Sequence, residues 1–268
     1  MTKNGDHDLS LLDRPEVLSV LFYPRKDLPE VPITPKAMTH FIKVEESISI
    51  GCRFYPAKKD APSIMYFHGN GETACDYDYV APLYTEKGLN FFVADYRGYG
   101  YSNGTPTATN IIKDTHPLFQ GFVTFLRELN YEGSIFVMGR SLGSAPALEV
   151  VFHYQDQIKG LIIESGFSST MNLISYLGFG GLFRGIKSTV GFGNGEKMKA
   201  ISIPTLIIHA ENDHLIPLSE AKDLYTQSGS ATKKLVVIPH ADHNDLMMVG
   251  RQRYFYEIRE FVEKIDKD

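Results

Sequence analysis

Six short, continuous apolar runs constrain this chain more than any other feature. SIMYFHG (63–69), NFFVADYR (90–97), SIFVMG (134–139), GLIIES (160–165), TLIIHAE (205–211) and KLVVIPH (234–240) are rich in β-branched or aromatic residues. Continuous apolar runs of this length suit strands covered on both faces. Helix-length segments lie between them. In the segment near 110–130, Phe122, Phe125, Leu126 and Leu129 recur at helical spacing, with Asn110 as the expected N-cap. Pro117 is expected to kink or restart that helix. RQRYFYEIREFVEKI (251–265) predicts a closing C-terminal helix, and HFIKVEESISIGCRFYP (40–56) a leading antiparallel strand pair. The alternation predicts an α/β fold, a three-layer α/β/α sandwich around a mostly parallel sheet. Residues 1–268 are read as a single domain.

Composition excludes several alternatives. Lys and Arg total 27 against 32 Asp and Glu, a net charge of −5, which is no footprint for nucleic acid. No run approaches the roughly 18 apolar residues of a membrane helix, so stable membrane insertion is not expected. The opening MTKNGDHDLSLLDRPEV lacks an apolar secretory core. The expectation is a soluble, cytoplasmic protein. Cys52 and Cys75 are isolated, match no metal or redox spacing, and fit a reducing interior.

One region breaks the rhythm. Residues 171–200 hold Gly178, Gly180, Gly181, Gly185, Gly191, Gly193 and Gly195, with Phe179, Phe183 and Phe192 among them. No strand or long helix fits it cleanly, and a long irregular insertion in a compact domain is read as a cap or lid.

The chemistry centres on FVMGRSLGSAPALE (136–149). Here a G-x-S-x-G pentapeptide follows a strand and opens a helix, the setting of a nucleophile elbow. The tight turn strains its central residue, and Gly139 and Gly143 keep the neighbours small. Ser141 is thereby lifted clear of the sheet beside the orphan N–H groups of a helix start. A serine hydroxyl needs a base and the base an orienting carboxylate. TLIIHAENDHLIP places Asp213 beyond one apolar strand, and KLVVIPHADHNDL places His243 beyond the last. Glu164 is a competing carboxylate and His240 a competing base. The order Ser141, Asp213, His243 suits this fold, and sites on open α/β sheets gather at the C-terminal strand ends. The HADH pair shows no third or fourth ligand, so no metal or cofactor is expected. SIMYFHGNGE (63–72) offers the backbone N–H of Asn70, between Gly69 and Gly71, as one oxyanion donor; the N–H of Leu142 is the other. His68 is read as bracing that loop.

On HGNGE (68–72), DYRGYGYS (95–102), GRSLGS (139–144), ENDHLIP (211–217) and HADHN (240–244), the sequence resembles the α/β-hydrolase superfamily over about residues 60–250. Within it the chain is similar to bacterial relatives of the Bem46-like and serine-aminopeptidase-like groups. The resemblance implies an eight-stranded, mostly parallel sheet with a cap inserted after the sixth strand. It gives Asp95, Arg97 and Ser102 a structural place only. His240 departs from the pattern, since many relatives carry glycine there.

These readings predict a serine hydrolase that forms an acyl-enzyme on a small-molecule acyl substrate, by default a carboxylic ester, with a thioester or small amide open to the same groups. The phenylalanines of 171–200 suggest an apolar acyl or aryl group. Arg184, Lys187, Lys197 and Lys199 are expected to solvate the insertion rather than bind a lipid surface. The alternative is a ligand- or partner-binding protein that uses this fold without turnover.

Overall fold

The computed structural model describes residues 8–27, 34, 36–183 and 191–267. Eight strands form one sheet: β1 (Met38–Glu45), β2 (Ile48–Tyr55), β3 (Ser63–Phe67), β4 (Asn90–Ala94), β5 (Ile135–Arg140), β6 (Gly160–Glu164), β7 (Thr205–Ala210) and β8 (Lys233–Ile238). Their order is β1-β2-β4-β3-β5-β6-β7-β8. β2 pairs antiparallel with β1 and β4, and every other pairing is parallel. The leading antiparallel pair and all six apolar runs therefore become strands.

The described helices are α1 (Pro15–Leu21), α2 (Ala81–Thr85), α3 (Ala108–Lys113), α4 (Thr115–Glu128), α5 (Ser144–Tyr154), α6 (Thr170–Tyr176), α7 (Asn194–Ala200), α8 (Leu218–Gln227), α9 (Leu246–Val249) and α10 (Arg251–Lys267). None of them is long and apolar enough to cross a membrane.

Strand side chains divide between two cores. Met65, Phe67, Phe92, Val137 and Leu161 pack with α3, α4, α5 and α8 on one face. Ile64, Tyr66, Phe91, Met138 and Ile162 pack with α2, α9 and α10 on the other. Adjacent residues of one strand point to opposite faces, so a strand buried on both must be apolar throughout. That is why the runs are continuous rather than alternating. The C-terminal helix buries Tyr254, Phe255, Ile258, Val262 and Ile265 along one stripe.

One local expectation is corrected and another is resolved. The N-cap before Asn110 is Thr107, whose hydroxyl accepts the Asn110 N–H at 3.0 Å; Asn110 itself lies inside α3. Thr107 has the extended backbone that a cap needs, and its acceptor sits three residues before that N–H. Of the two outcomes expected at Pro117, a kink or a restart, the structure shows the restart. The chain ends α3 at Lys113 and restarts at Thr115, which leaves Pro117 in the first turn, where its missing N–H has no intrahelical partner to lose.

The segment between β6 and β7 carries α6, a 3₁₀ turn at Gly180–Phe183 and α7. Part of the expected cap, including Arg184, Gly185 and Lys187, lies outside the described residues. Glu220 of α8 ties down the start of this segment: one carboxylate oxygen accepts the N–H groups of Ser168 and Ser169 at 2.8 and 3.0 Å, and the other accepts from Asn172 at 2.7 Å.

Candidate active site

β5 runs directly into Ser141, whose φ of +52° is the left-handed region that an L-residue rarely adopts. The strain persists because packing leaves no alternative. A Cβ on Gly143 would lie 2.1 Å from the Phe67 carbonyl oxygen of β3, and one on Gly139 would lie 2.2 Å from the Gly143 oxygen. The elbow is thus pressed against the neighbouring strand. The Ser144 hydroxyl donates to the Ser141 carbonyl at 2.7 Å and braces the turn.

Loops at the same sheet edge bring two distant side chains to this serine. His243, beyond β8, places Nε2 3.0 Å from Ser141 Oγ. Its Nδ1 lies 2.7 Å from Asp213 Oδ2, beyond β7. The other Asp213 oxygen accepts the N–H groups of Leu215 and Ile216 at 3.1 and 2.7 Å. One carboxylate oxygen therefore fixes the aspartate while the second faces the imidazole. Behind them His209 is fully buried, with Nε2 2.7 Å from the Ile216 carbonyl; burial lowers its pKa and keeps it neutral.

The rivals lie elsewhere. The His240 ring is 89% exposed and sits 3.8 Å from Glu211. Its φ of +62° lies in the left-handed region that favours glycine. Glu164 accepts from Arg140 Nε at 3.1 Å and from the Tyr254 hydroxyl at 2.7 Å, not from His243.

Asn70 lies between Gly69 and Gly71, the latter at φ +79°. Its side-chain oxygen accepts the Tyr23 N–H at 2.8 Å and the Tyr99 hydroxyl at 2.7 Å, which anchors the loop. His68 braces the loop as expected: Nδ1 lies 2.8 Å from the Gly69 carbonyl and Nε2 3.3 Å from Asp95. Burial alone would depress the His68 pKa, but the Asp95 carboxylate overrides it and the pKa is raised. The structural reading of the DYRGYGYS block also holds. Arg97 grips Asp114 through two hydrogen bonds at 2.6 and 2.7 Å, and the Ser102 hydroxyl accepts the Gly51 N–H at 2.9 Å.

Asn70, Ser141, Leu142 and His243 all line one cavity of about 260 Å³. Its apolar wall comes from Leu21, Leu173, Leu177, Leu215 and Ile216. Neither Phe179 nor Phe192, the insertion's described phenylalanine side chains, lines it. Phe192 is buried against Phe167, Phe179 is partly exposed, and the Phe183 side chain lies outside the described residues. Leu173 and Leu177, on and just after α6, point into the cavity in their place.

The profile of a family described as serine aminopeptidase, S33, matches residues 58–183 and 194–247. The chain belongs to this family. It is also similar to Bem46 of Schizosaccharomyces pombe (strain 972), 29% identical over 210 residues that cover 76% of this chain and 68% of that protein. An uncharacterized protein YfhR of Salmonella typhi is 30% identical over 206 residues, covering 72% of this chain and 68% of that protein. Among solved structures, the Pyrococcus furiosus esterase Pf2001 superposes with a TM-score of 0.74 at 18% identity, over 91% of this chain and 98% of that one. Est1E from Butyrivibrio proteoclasticus, solved with ferulic acid bound, gives 0.67 at 17% identity, over 85% of this chain and 100% of that one. At these identities the two structures speak for the fold alone. Family and fold together make the chain a hydrolase of the α/β type.

Sequence reasoning missed a polar hub in this S33-family hydrolase. Arg140, the residue before Ser141, donates from Nε to Glu164, from Nη1 to Glu72, and from Nη2 to the His243 carbonyl at 2.8 Å. The second Glu72 oxygen accepts the Gly69 N–H at 2.7 Å and the Tyr77 hydroxyl at 2.9 Å. A Cβ on Gly69 would stand 2.7 Å from Arg140 Nη1, so a larger residue there would displace the guanidinium. One guanidinium thus joins the elbow, the HGNGE loop, the end of β6 and the histidine loop. Arg140 and Glu72 both stood inside quoted motifs; the arginine's fixed fork of donors, next to the elbow serine, was the available signal.

Proposed function

We propose that this protein is a serine hydrolase that cleaves small, apolar carboxylic esters through an acyl-enzyme. The observation that carries the reading is the continuous relay Asp213–His243–Ser141, with the serine strained on its elbow at the wall of an apolar cavity. His243 Nε2 takes the Ser141 proton as Oγ attacks the carbonyl carbon. Asp213 holds the Nδ1–H tautomer and stabilises the imidazolium. The N–H groups of Asn70 and Leu142 receive the developing oxyanion, each worth about 3–4 kcal/mol of barrier. His243 then returns the proton to the departing alcohol, and water repeats the sequence to release the acid.

Cavity chemistry favours an ester over an aminoacyl amide. Recognition of a free α-ammonium calls for an uncommitted carboxylate. Among the described residues lining the cavity, Glu72 supplies the carboxylate, and both its oxygens are engaged by Arg140, Gly69 and Tyr77. The volume of about 260 Å³ falls just under the ~300–1,000 Å³ common for ligand clefts, which fits a short acyl or aryl group.

The test is a panel of acyl esters, acyl thioesters and aminoacyl amides, assayed on the wild type and Ser141→Ala. Ester turnover that exceeds amide turnover and vanishes in Ser141→Ala supports the proposal. Amide turnover above ester turnover would overturn the substrate class.

A further inference from the structure

His116, Glu149 and His153 form a second cluster of chemistry-bearing side chains, and none of them lines the cavity. His116 stands in the first turn of α4, while Glu149 and His153 are one helical turn apart on the same face of α5. Both imidazoles converge on one carboxylate oxygen: His153 Nε2 lies 3.0 Å and His116 Nε2 3.5 Å from Glu149 Oε1. One ligand atom from each residue lies within 4.8 Å of the other two.

We propose that His116, Glu149 and His153 bind one divalent transition-metal ion of the zinc class. Two imidazole nitrogens and a carboxylate oxygen are a donor set that zinc accepts and that magnesium and calcium do not favour. Donors about 2.0–2.1 Å from a tetrahedral ion lie about 3.4 Å from one another. The two nitrogen-to-oxygen separations, 3.0 and 3.5 Å, bracket that spacing, so small side-chain rotations admit an ion.

Three further features suit a metal. His116 Nδ1 lies 3.1 Å from the Tyr154 hydroxyl; the tautomer protonated there, which an ion would select over the one that donates from Nε2 to Glu149, turns the Nε2 lone pair to the cluster. Glu149 Oε2 is held at 2.5 Å by Lys197 of α7, which fixes the carboxylate with Oε1 turned toward the two imidazoles. Both rings are about one-third exposed, at 35% and 34%, which gives the ion an entry path and room for a water as fourth ligand. The bound ion would cross-link α4 to α5 beside α7.

The pair Glu149 and His153 is visible in the sequence as E-x-x-x-H. His116 is 33 residues earlier than Glu149, and only the packing of α4 on α5 unites them.

The test uses tag-free, full-length protein and Zn²⁺ in competition with a chromophoric chelator. The expected result is one Zn²⁺ per chain in the wild type and in His243→Ala, with saturable binding lost in His116→Ala/His153→Ala. The circular dichroism spectrum of the double variant should be unchanged, since both rings are at the surface. Tyr154→Phe should bind about 10-fold more weakly, and Mg²⁺ should not displace the ion. No binding by the wild type, binding that survives the double variant, or binding that disappears in His243→Ala would overturn the proposal.

Discussion

The guanidinium of Arg140 donates from Nη2 to the main-chain carbonyl of His243 at 2.8 Å, so the residue beside the serine holds the loop that carries the imidazole. The two are 103 positions apart in sequence. The same side chain neutralises Glu72 and Glu164, two carboxylates at the sheet edge. Burial raises the Glu164 pKa and Arg140 opposes that rise. Position and charge in this part of the site depend on one residue.

Replacing Arg140 should therefore separate geometry from stability. Arg140→Lys keeps a positive charge but loses the planar fork, and a displaced imidazole should lower kcat for a p-nitrophenyl ester about 100-fold, with a smaller change in KM. Arg140→Met leaves the carboxylates without their counter-charge and should cost about 3–5 kcal/mol in urea unfolding. Steady-state kinetics and denaturation curves on both variants check this.

Gly143 has no room for a methyl group, because the obstacle is the Phe67 backbone and not a movable side chain. Gly143→Ala should destabilise by about 3 kcal/mol and abolish turnover. Gly181→Ala, where a Cβ meets nothing within 4 Å, should change stability by no more than about 0.5 kcal/mol. Chemical denaturation of the two variants gives the comparison.

Glu149 gives the fold an acid-sensitive element. Burial works to raise its pKa, but the hydrogen bond from His116 and the charge of Lys197 pull it down to about 2 from the ordinary 4.5. A depressed carboxylate stabilises fully above its unfolded pKa and loses that contribution as pH falls through the folded value. The contribution is on the order of 3 kcal/mol. Between about pH 5 and pH 3, the wild type should lose more stability than Glu149→Gln in chelator-containing buffer. Parallel curves would contradict the assignment.

Leu177 lies partly buried at the cavity wall, just after α6. Enlarging it should shorten the acyl group the cavity accepts. In Leu177→Phe, the ratio of kcat/KM for a hexanoyl ester to that for an acetyl ester should fall about 10-fold, the scale on which apolar pockets discriminate methylenes.

What the sequence disclosed follows from how local each signal is. A strand buried on both faces writes itself as an apolar run, so β3 to β7 were legible; the edge strand β8, only partly buried, showed through its Leu235–Ile238 run. The elbow was legible because strand, glycines and helix are contiguous. Asp213 and His243 could be placed because each follows an apolar strand in a fixed order. The Arg140 hub was not, because its partners Glu72, Glu164 and His243 come from three other segments. Lys197 was expected to solvate the insertion, yet it is buried on Glu149; a lysine's sequence neighbours carry no information about a partner 48 residues away. Lys199, two positions on, is exposed as expected. Among the described side chains the apolar wall is leucine and isoleucine, and Phe192 packs instead against Phe167.

The most direct test of the central claim is covalent labelling with a fluorophosphonate, followed by mapping of the modified peptide. The account expects stoichiometric labelling at Ser141, none in Ser141→Ala, and strongly slowed labelling in His243→Ala. Equal labelling of the wild type and Ser141→Ala, or a wild type that resists the probe, would contradict it.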